Sequence, residues 1–242
     1  MTTPRAHPVS IAMATYNGIA HVAEQIESIF AEISAADQLV IVDDHSTDGT
    51  WEYLSALSHP AIELTRQPRN RGVRRAFAEA LRRCRNDFIF LSDQDDIWLP
   101  GKVQTMMAAF DGHADVSAVI SDARLIDGAG LAVAPSFMAL RGGFAGGLIS
   151  TLIKNRYLGC AMAIRKSVLR KGLPLPALAP MHDMWLGAIA RSMGRIAFIE
   201  TPLIAYRRHG GNVSPVHHQS AARMIAWRLQ FALALALRAL GR

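Results

Sequence analysis

The sequence predicts an α/β domain built on a mostly parallel sheet flanked by helices, with a helical tail after it. Three observations lead there. The strand candidates are nearly all continuous apolar runs, such as VSIAMA at 9–14, LVIV at 39–42 and FIFL at 88–91. Strands read this way when helices cover both faces of the sheet. These runs alternate with segments whose apolar residues recur at helical spacing. A short polar insertion also follows each early strand, at 15–17, 43–44, 70–72 and 93–96. Sheets of this kind bind ligands beyond the carboxyl ends of their strands, at a topological switch point. Four polar loops at that edge therefore mark one site.

Taken in order, the first strand at 9–14 ends in the polar turn Thr15-Tyr16-Asn17-Gly18. A helix follows over 19–33, with Ile19, Val22, Ile26, Ile29, Phe30 and Ile33 on one face. The second strand, 39–42, runs into DDHSTDGT, where Ser46, Asp48 and Thr50 have the character of helix-cap residues. A helix is expected at 51–57, a third strand at 62–65, a turn at Asn70-Arg71-Gly72, a helix at 73–83 and a fourth strand at 88–91. The second half is less regular. Strands are expected at 116–120, 159–164 and 196–199, a short helix at 167–171, and an apolar helix at 181–193 that carries His182-Asp183. Residues 131–147, rich in Gly, Ala and Pro, read as a mobile surface loop.

The chain divides into a domain at 1–215 and a tail at 216–242. The tail segment 221–240 is made of good helix formers. It is apolar nearly all round, so it needs a cover: the domain itself, a second copy in a homodimer, or peripheral contact with a membrane interface.

Composition narrows the partners. The 242 residues are 50% hydrophobic, enough for a real core, and carry a net charge of +6. A positive balance favours anionic partners, but no long Lys/Arg run is present, which argues against nucleic acid. The two cysteines, Cys84 and Cys160, lack metal or disulfide spacing and read as free thiols. The opening MTTPRAHPVS has no apolar segment of a secretory signal. No run of about 20 apolar residues offers a membrane span.

The chemistry concentrates in IFLSDQDDIWLPGK at 89–102, which delivers Asp93, Asp95 and Asp96 within four residues. Such carboxylates repel by about 1 kcal/mol per pair even in water, and a hard divalent ion such as Mg²⁺ or Mn²⁺ relieves that repulsion with oxygen ligands. Taken alone, the cluster also reads as a turn with helix-capping Asp residues.

In company with VSIAMATYNG, VIVDDHSTDGT, NRG, the HD pair at 182–183 and YRRHGGN at 206–212, the cluster resembles the inverting family 2 glycosyltransferases of the GT-A fold. Within them, SDQDDIWLPGK is most similar to bacterial rhamnosyltransferases. The resemblance implies a Rossmann-like, mostly parallel central sheet and a dTDP- or UDP-sugar donor. It also implies a divalent cation and a glycan or lipid-linked acceptor, with the active site facing the cytoplasm. It places Thr15, Tyr16 and Asn17 around the nucleotide base and Asp44 against the pyrimidine N3–H. Asn70 joins the donor-binding set, Asp93 contacts ribose or the metal's water shell, and Asp96 contacts the donor sugar. Asp95 would ligate the metal. His209 would complete the metal or diphosphate shell, with Arg207 as a bidentate partner for phosphate oxygens. Asp183 would be the catalytic base, and His182 and Trp185 would orient it or line the acceptor pocket. Trp98 reads as packing or as a sugar platform.

Two departures stand out. Ala76 precedes Phe77 where the related motif has Asn, and Met184 replaces one of two adjacent aromatics. A UDP-hexose donor, a nucleotidyltransferase and an inactive nucleotide-sugar-binding module are the rival readings. The last two are opposed by the missing Gly-rich turn after the first strand and by the intact Asp95 and Asp183.

Overall fold

In the computed structural model, which describes residues 7–145, 147, 151, 156–179, 181–209 and 221–240, the first strand organises the sheet. β1 (Val9–Thr15) lies between β2 (Gln38–Asp43) and β4 (Phe88–Ser92), parallel to both, and β3 (Ile62–Arg66) adds parallel to β2. Every residue of β1, β2 and β4 is buried. The pleat sends alternate side chains to two separate cores. Ile11, Met13, Ile41 and Phe90 pack with Ile26 and Ile29 of α1 (Val22–Phe30). Ala12, Val40, Val42 and Leu91 pack with Phe77 and Leu81 of α3 (Val73–Arg83). Each large side chain so buried contributes about 1.5–3 kcal/mol. α2 (Thr50–Ala56) completes the alternation.

The second half contributes β5 (Ile97–Trp98), α4 (Lys102–Ala108), β6 (Val116–Asp127), β7 (Ala132–Ala134) and α5 (Phe137–Leu140). A 3₁₀ turn (Gly159–Ala161) follows, then β8 (Met162–Arg165), α6 (Lys166–Gly172), α7 (His182–Met193), β9 (Arg195–Arg208) and α8 (Ala221–Ala239). Among the described residues the strand order is β3-β2-β1-β4-β8-β6-β9-β5, with β7 paired to β6. β8 runs against both β4 and β6, and β6 and β9 are parallel. β6 and β9 therefore share the direction of the first four strands, and the sheet is mostly parallel.

Three sequence expectations are corrected, the first being the strand at 159–164, whose first three residues form the 3₁₀ turn while the strand starts at Met162. The apolar runs at 116–120 and 196–199 are only the starts of β6 and β9, which stay paired from Val116 and Arg195 through to Asp127 and Arg208. Polar residues interrupt both strands, Ser121-Asp122 in β6 and Glu200-Thr201 in β9, so neither apolar run extends through its whole strand. Residues 131–147 do not form a structureless loop where they are described. Asp122 accepts from Ser136 Oγ and from the Met138 amide, and Ser136 caps α5 by accepting from the Ala139 amide. The short motif end at 210–212 and the expected boundary at 215 and 216 lie outside the described residues.

The tail's cover is in part the domain itself. Phe231 and Ala234 are buried, and Phe231 meets the Trp185 ring edge-on at 6.4 Å. Arg238, two turns on, lies over the same ring and donates to the carbonyls of Lys171, Leu173 and Pro174. Trp227, Leu229, Leu233 and Leu240 stay exposed. No described helix is long and apolar enough to cross a membrane.

Phe231→Ala should cost about 3 kcal/mol or more in urea unfolding and speed amide exchange along α8. Leu229→Ala on the exposed face should stay within about 0.5 kcal/mol. Equal, small effects for both would mean that α8 does not rest on Trp185 in solution.

Candidate active site

A cavity of about 420 Å³ opens beyond the carboxyl ends of β1, β2 and β4. The strand order reverses between β1 and β4, which is where a doubly wound sheet leaves its crevice. Thr15 and Tyr16 reach the cavity from the end of β1, Asp44 from β2, Asn70 and Gly72 from the turn before α3, and Asp93, Gln94 and Asp95 from β4. Gly159, His182, Asp183 and Tyr206 close it from the second half.

At one end, loops are fastened to each other. Asp44 accepts from the Arg71 amide at 2.8 Å through Oδ1 and from the Gly72 amide at 2.7 Å through Oδ2. Asn70 Oδ1 takes a second, longer bond from Gly72, at 3.1 Å. Asp43 is fully buried and structural. It accepts from Thr15 Oγ1, the Ser46 amide and Ser46 Oγ. Tyr16 is half-exposed at the rim. Asn17, expected at the nucleotide base, does not line the cavity. It sits at φ +48°, its amide donates to Ser46 Oγ, and its side-chain oxygen accepts from the Thr47 amide. Asn tolerates this left-handed turn better than most residues, and its role here is to shape the loop.

Gln94, unassigned from sequence, braces the two sides. Its Oε1 accepts from the Tyr16 amide at 2.8 Å and its Nε2 donates to the Tyr16 carbonyl at 3.0 Å. A Cβ on Gly18 would lie 2.3 Å from that Oε1, so the brace fits only against glycine.

At the acidic end, Asp93 and Asp95 line the cavity, and His209 Nε2 lies 2.8 Å from Asp95 Oδ2. Asp96, expected on the donor sugar, turns inward instead. It is fully buried, Oδ1 accepts from the Arg207 amide at 2.9 Å, and Oδ2 has no hydrogen-bond partner among the described residues. Ligand atoms of Asp93, Asp96 and Cys160 lie within 4.8 Å of one another. Burial, then the neighbouring acids, pushes Asp93 well above the carboxylate range, and burial followed by Asp95 pushes Asp96 up to about 7. The fully buried Lys102 donates to the Cys160 carbonyl and is pushed down to about 8 by burial. Asp93 and Asp95 at the cavity, with an imidazole beside Asp95, make an oxygen-rich donor set that fits a hard divalent cation.

Arg207 is also corrected. The sequence places it on the diphosphate, but its guanidinium is buried away from the cavity. It donates to the carbonyls of Asp95, Asp127 and Gly128 and pairs with Glu24 at 2.5 Å. Trp98 packs: it is buried, tilted against Phe90, with the Lys102 ammonium 5.1 Å from its ring centre.

Asp183 opens α7 beside the acidic loop. Its Oδ1 accepts from the Met184 amide at 2.6 Å. Burial raises its pKa to about 6, opposed by the backbone N–H groups of Met184 and Gly159. A Cβ at Gly159 would stand 3.2 Å from Asp183 Cβ and 3.4 Å from His182 Nε2, so a side chain there would crowd both. His182 lines the cavity with its ring stacked on Phe77 at 3.8 Å. Trp185 does not line it. It is fully buried on the other side of α7, where Nε1 donates to the Gly172 carbonyl at 2.7 Å and Phe231 covers the ring. Tyr206, on β9, is a wall residue that the sequence reading did not single out.

Comparison with known proteins gives a consistent picture. An uncharacterized glycosyltransferase of Nostoc sp. is 26% identical over 226 residues, covering 88% of this chain and 67% of that protein. The dTDP-rhamnosyl transferase RfbG of Shigella flexneri is 34% identical over 99 residues, 38% of this chain and 34% of its own length. Among solved structures, S. aureus TarS 1–349 in complex with UDP-GlcNAc superposes with a TM-score of 0.74 at 17% identity, covering 93% of this chain and 66% of that one. The mannosyltransferase PcManGT from Pyrobaculum calidifontis, in complex with GDP-Man and Mn²⁺, gives 0.65 at 21% identity, covering 97% of this chain and 67% of that one. The chain spans about two thirds or less of each of these proteins. The fold is that of the GT-A glycosyltransferases. The family described as Glycosyl transferase family 2 matches residues 10–173, and with well over half of its length so matched, this chain belongs to that family.

Proposed function

We propose that this chain is a metal-dependent inverting glycosyltransferase. It takes a sugar from a pyrimidine nucleotide donor, with dTDP-L-rhamnose foremost, and adds it to a glycan or lipid-linked acceptor in cell-surface polysaccharide synthesis. The observation that carries this reading is the convergence of Asp183, the Asp95–His209 pair and the Asp44 clasp on one cavity. Asp44 offers a fixed carboxylate to an imide N–H, which uracil and thymine have and cytosine lacks. Each of its oxygens keeps a lone pair beyond the one given to the Arg71 or Gly72 amide. Tyr16 offers a ring face at the rim for the base.

Asp183 takes the proton of the acceptor hydroxyl as that oxygen attacks the anomeric carbon from the face opposite the diphosphate. The bond from the anomeric carbon to the diphosphate oxygen breaks, its electron pair leaves with the nucleotide diphosphate, and the configuration inverts. A divalent cation held by Asp95 and His209, with Asp93 beside them, would supply charge stabilisation to the departing diphosphate. Because Arg207 is saturated by its own protein partners, no weight falls on it here.

The rhamnose assignment is supported by SDQDDIWLPGK and by the similarity to RfbG. A UDP-hexose donor is the second reading, favoured by the superposition on the UDP-GlcNAc complex. The enzyme works at the cytoplasmic side, where nucleotide sugars are made. The exposed Trp227, Leu229 and Leu233 of α8 serve peripheral membrane contact or a homodimer.

Asp183→Asn should keep donor binding and lower kcat by at least about 100-fold. Wild-type kcat/KM should climb with pH through about 6, as the base ionises, and level off above it. The folded pKa lies above the unfolded value, so Asp183 weighs least on stability below about pH 4 and costs stability as pH rises through 6. The Asn variant should therefore unfold at higher urea than wild type at pH 8. Unchanged turnover in Asp183→Asn would end the assignment of the base.

Thermal melts test the donor and the cation together. dTDP-rhamnose with Mn²⁺ at 100 times its Kd should add about 2.7 kcal/mol of apparent stability. Chelator or Asp95→Asn should remove the metal-dependent part. A shift with UDP-hexoses alone would replace rhamnose while keeping the transferase, and no shift with any nucleotide sugar would sink the transferase.

A further inference from the structure

His182 is 4% exposed, yet neither of its ring nitrogens has a hydrogen-bond partner among the described residues. A buried polar atom left bare costs about 1–3 kcal/mol, and such groups in native folds call for an explanation, a role in the site's chemistry among them. The ring is held firmly all the same. It stacks on Phe77 at 3.8 Å and 21°, and Nε2 faces Gly159, which lines the same cavity as His182. Ala76, which also lines the cavity, presents only a methyl group.

We propose that His182 hydrogen-bonds the hydroxyl groups of the transferred sugar and so helps determine which sugar is accepted; this deepens the transferase reading above and rests on it. Position assigns the sugar rather than the rest of the donor. The nucleotide end is furnished by Asp44 and Asn70, and the diphosphate end by the acidic loop with His209. His182 lies between the first turn of α3, which forms the cavity wall through Val73 and Ala76, and the base Asp183. Charge agrees. Burial pushes the imidazole down to about 3, so at neutral pH it is uncharged, with one nitrogen donating and the other accepting. A hydroxyl both donates and accepts, whereas a diphosphate offers only acceptors and would be met by a cation. A ring serving only to pack on Phe77 would need no nitrogen.

The test is isothermal titration of the full chain with Mn²⁺, comparing UDP with UDP-glucose and dTDP with dTDP-rhamnose, in wild type, His182→Phe and His182→Gln. The Phe variant keeps the stack on Phe77 and removes the bare nitrogens, so it should melt no lower than wild type. Its affinity for UDP and dTDP should stay within about twofold. Its affinity for the preferred nucleotide sugar should fall about tenfold, erasing the sugar's contribution. His182→Gln, with a donor and an acceptor of its own, should recover part of that loss, and it carries the comparison with wild type if the Phe variant fails to fold. Undiminished sugar-nucleotide binding in both variants would reduce His182 to packing. An equal loss for the bare nucleotides would move it to the nucleotide end. Both results overturn the proposal. A wild type that binds bare nucleotides but gains nothing from any sugar would also overturn it. A wild type that binds no nucleotide at all would instead remove the transferase reading, and this inference with it.

Discussion

A buried carboxyl and a buried guanidinium, Asp96 and Arg207, fasten the two halves of the sheet. Asp96 ends the acidic loop after β4 and grips the backbone of β9 through the Arg207 amide. The Arg207 side chain then spans back to the Asp95 carbonyl, out to Gly128 and across to Glu24 on α1. Breaking such a buried set strands a charge or a polar group, which typically costs 3–5 kcal/mol. The same set fixes the direction of Asp95. With its carbonyl held by Arg207, its carboxylate is left facing His209 and the cavity. The acidic loop is thus a fastener on its inner side and a wall of the cavity on its outer side.

Much of this was legible in the sequence, for a physical reason. β1, β2 and β4 bury both faces, so their apolar runs are unbroken and their ends are marked by the first polar residue. That signal located Thr15, Asp44, Asp93 and Asp95 at one edge, and the HD pair fell at the start of an apolar helix. Side-chain direction is what the sequence does not show. Asp95 and Asp96 are adjacent, but neighbouring side chains after a strand point to opposite sides, and only one of them reaches the cavity. Trp185 is two residues past Asp183, a rotation of about 200° around a helix, which turns it to the core. Arg207 looked free because its partners are backbone carbonyls, and a sequence does not display them. Gln94 could have been suspected from its place among three acids, yet nothing in the string ties it to Tyr16. β6 and β9 read short in the sequence because polar residues break their apolar runs, Ser121-Asp122 in one and Glu200-Thr201 in the other.

The glycines of the site belong to the same account. Gly18 and Gly159 are needed for space, the first against Gln94 and the second against His182 and Asp183. Gly72 is needed for its backbone: at φ +88° it turns its amide onto Asp44, and a side chain there would meet nothing but would be strained. The glycines of the site therefore mark where neighbouring side chains come close and where a loop must bend to close the clasp.

The electrostatic character of the cavity follows from where α7 begins. His182 and Asp183 are consecutive in its first turn, and burial drives both toward neutrality, the imidazole down to about 3 and the carboxyl up to about 6. The two outcomes are not equivalent at neutral pH. The imidazole stays uncharged with a wide margin. The carboxyl, one unit above its pKa at pH 7, remains about nine-tenths ionised. A base with a raised pKa binds a proton more tightly than an exposed carboxylate does, and general-base efficiency rises with that affinity so long as the group is still ionised. A deeper site would have lost the ionised form, and a shallower one would have given a weaker base. The opposing amides of Met184 and Gly159 hold Asp183 between those limits, as the general base proposed for this site requires.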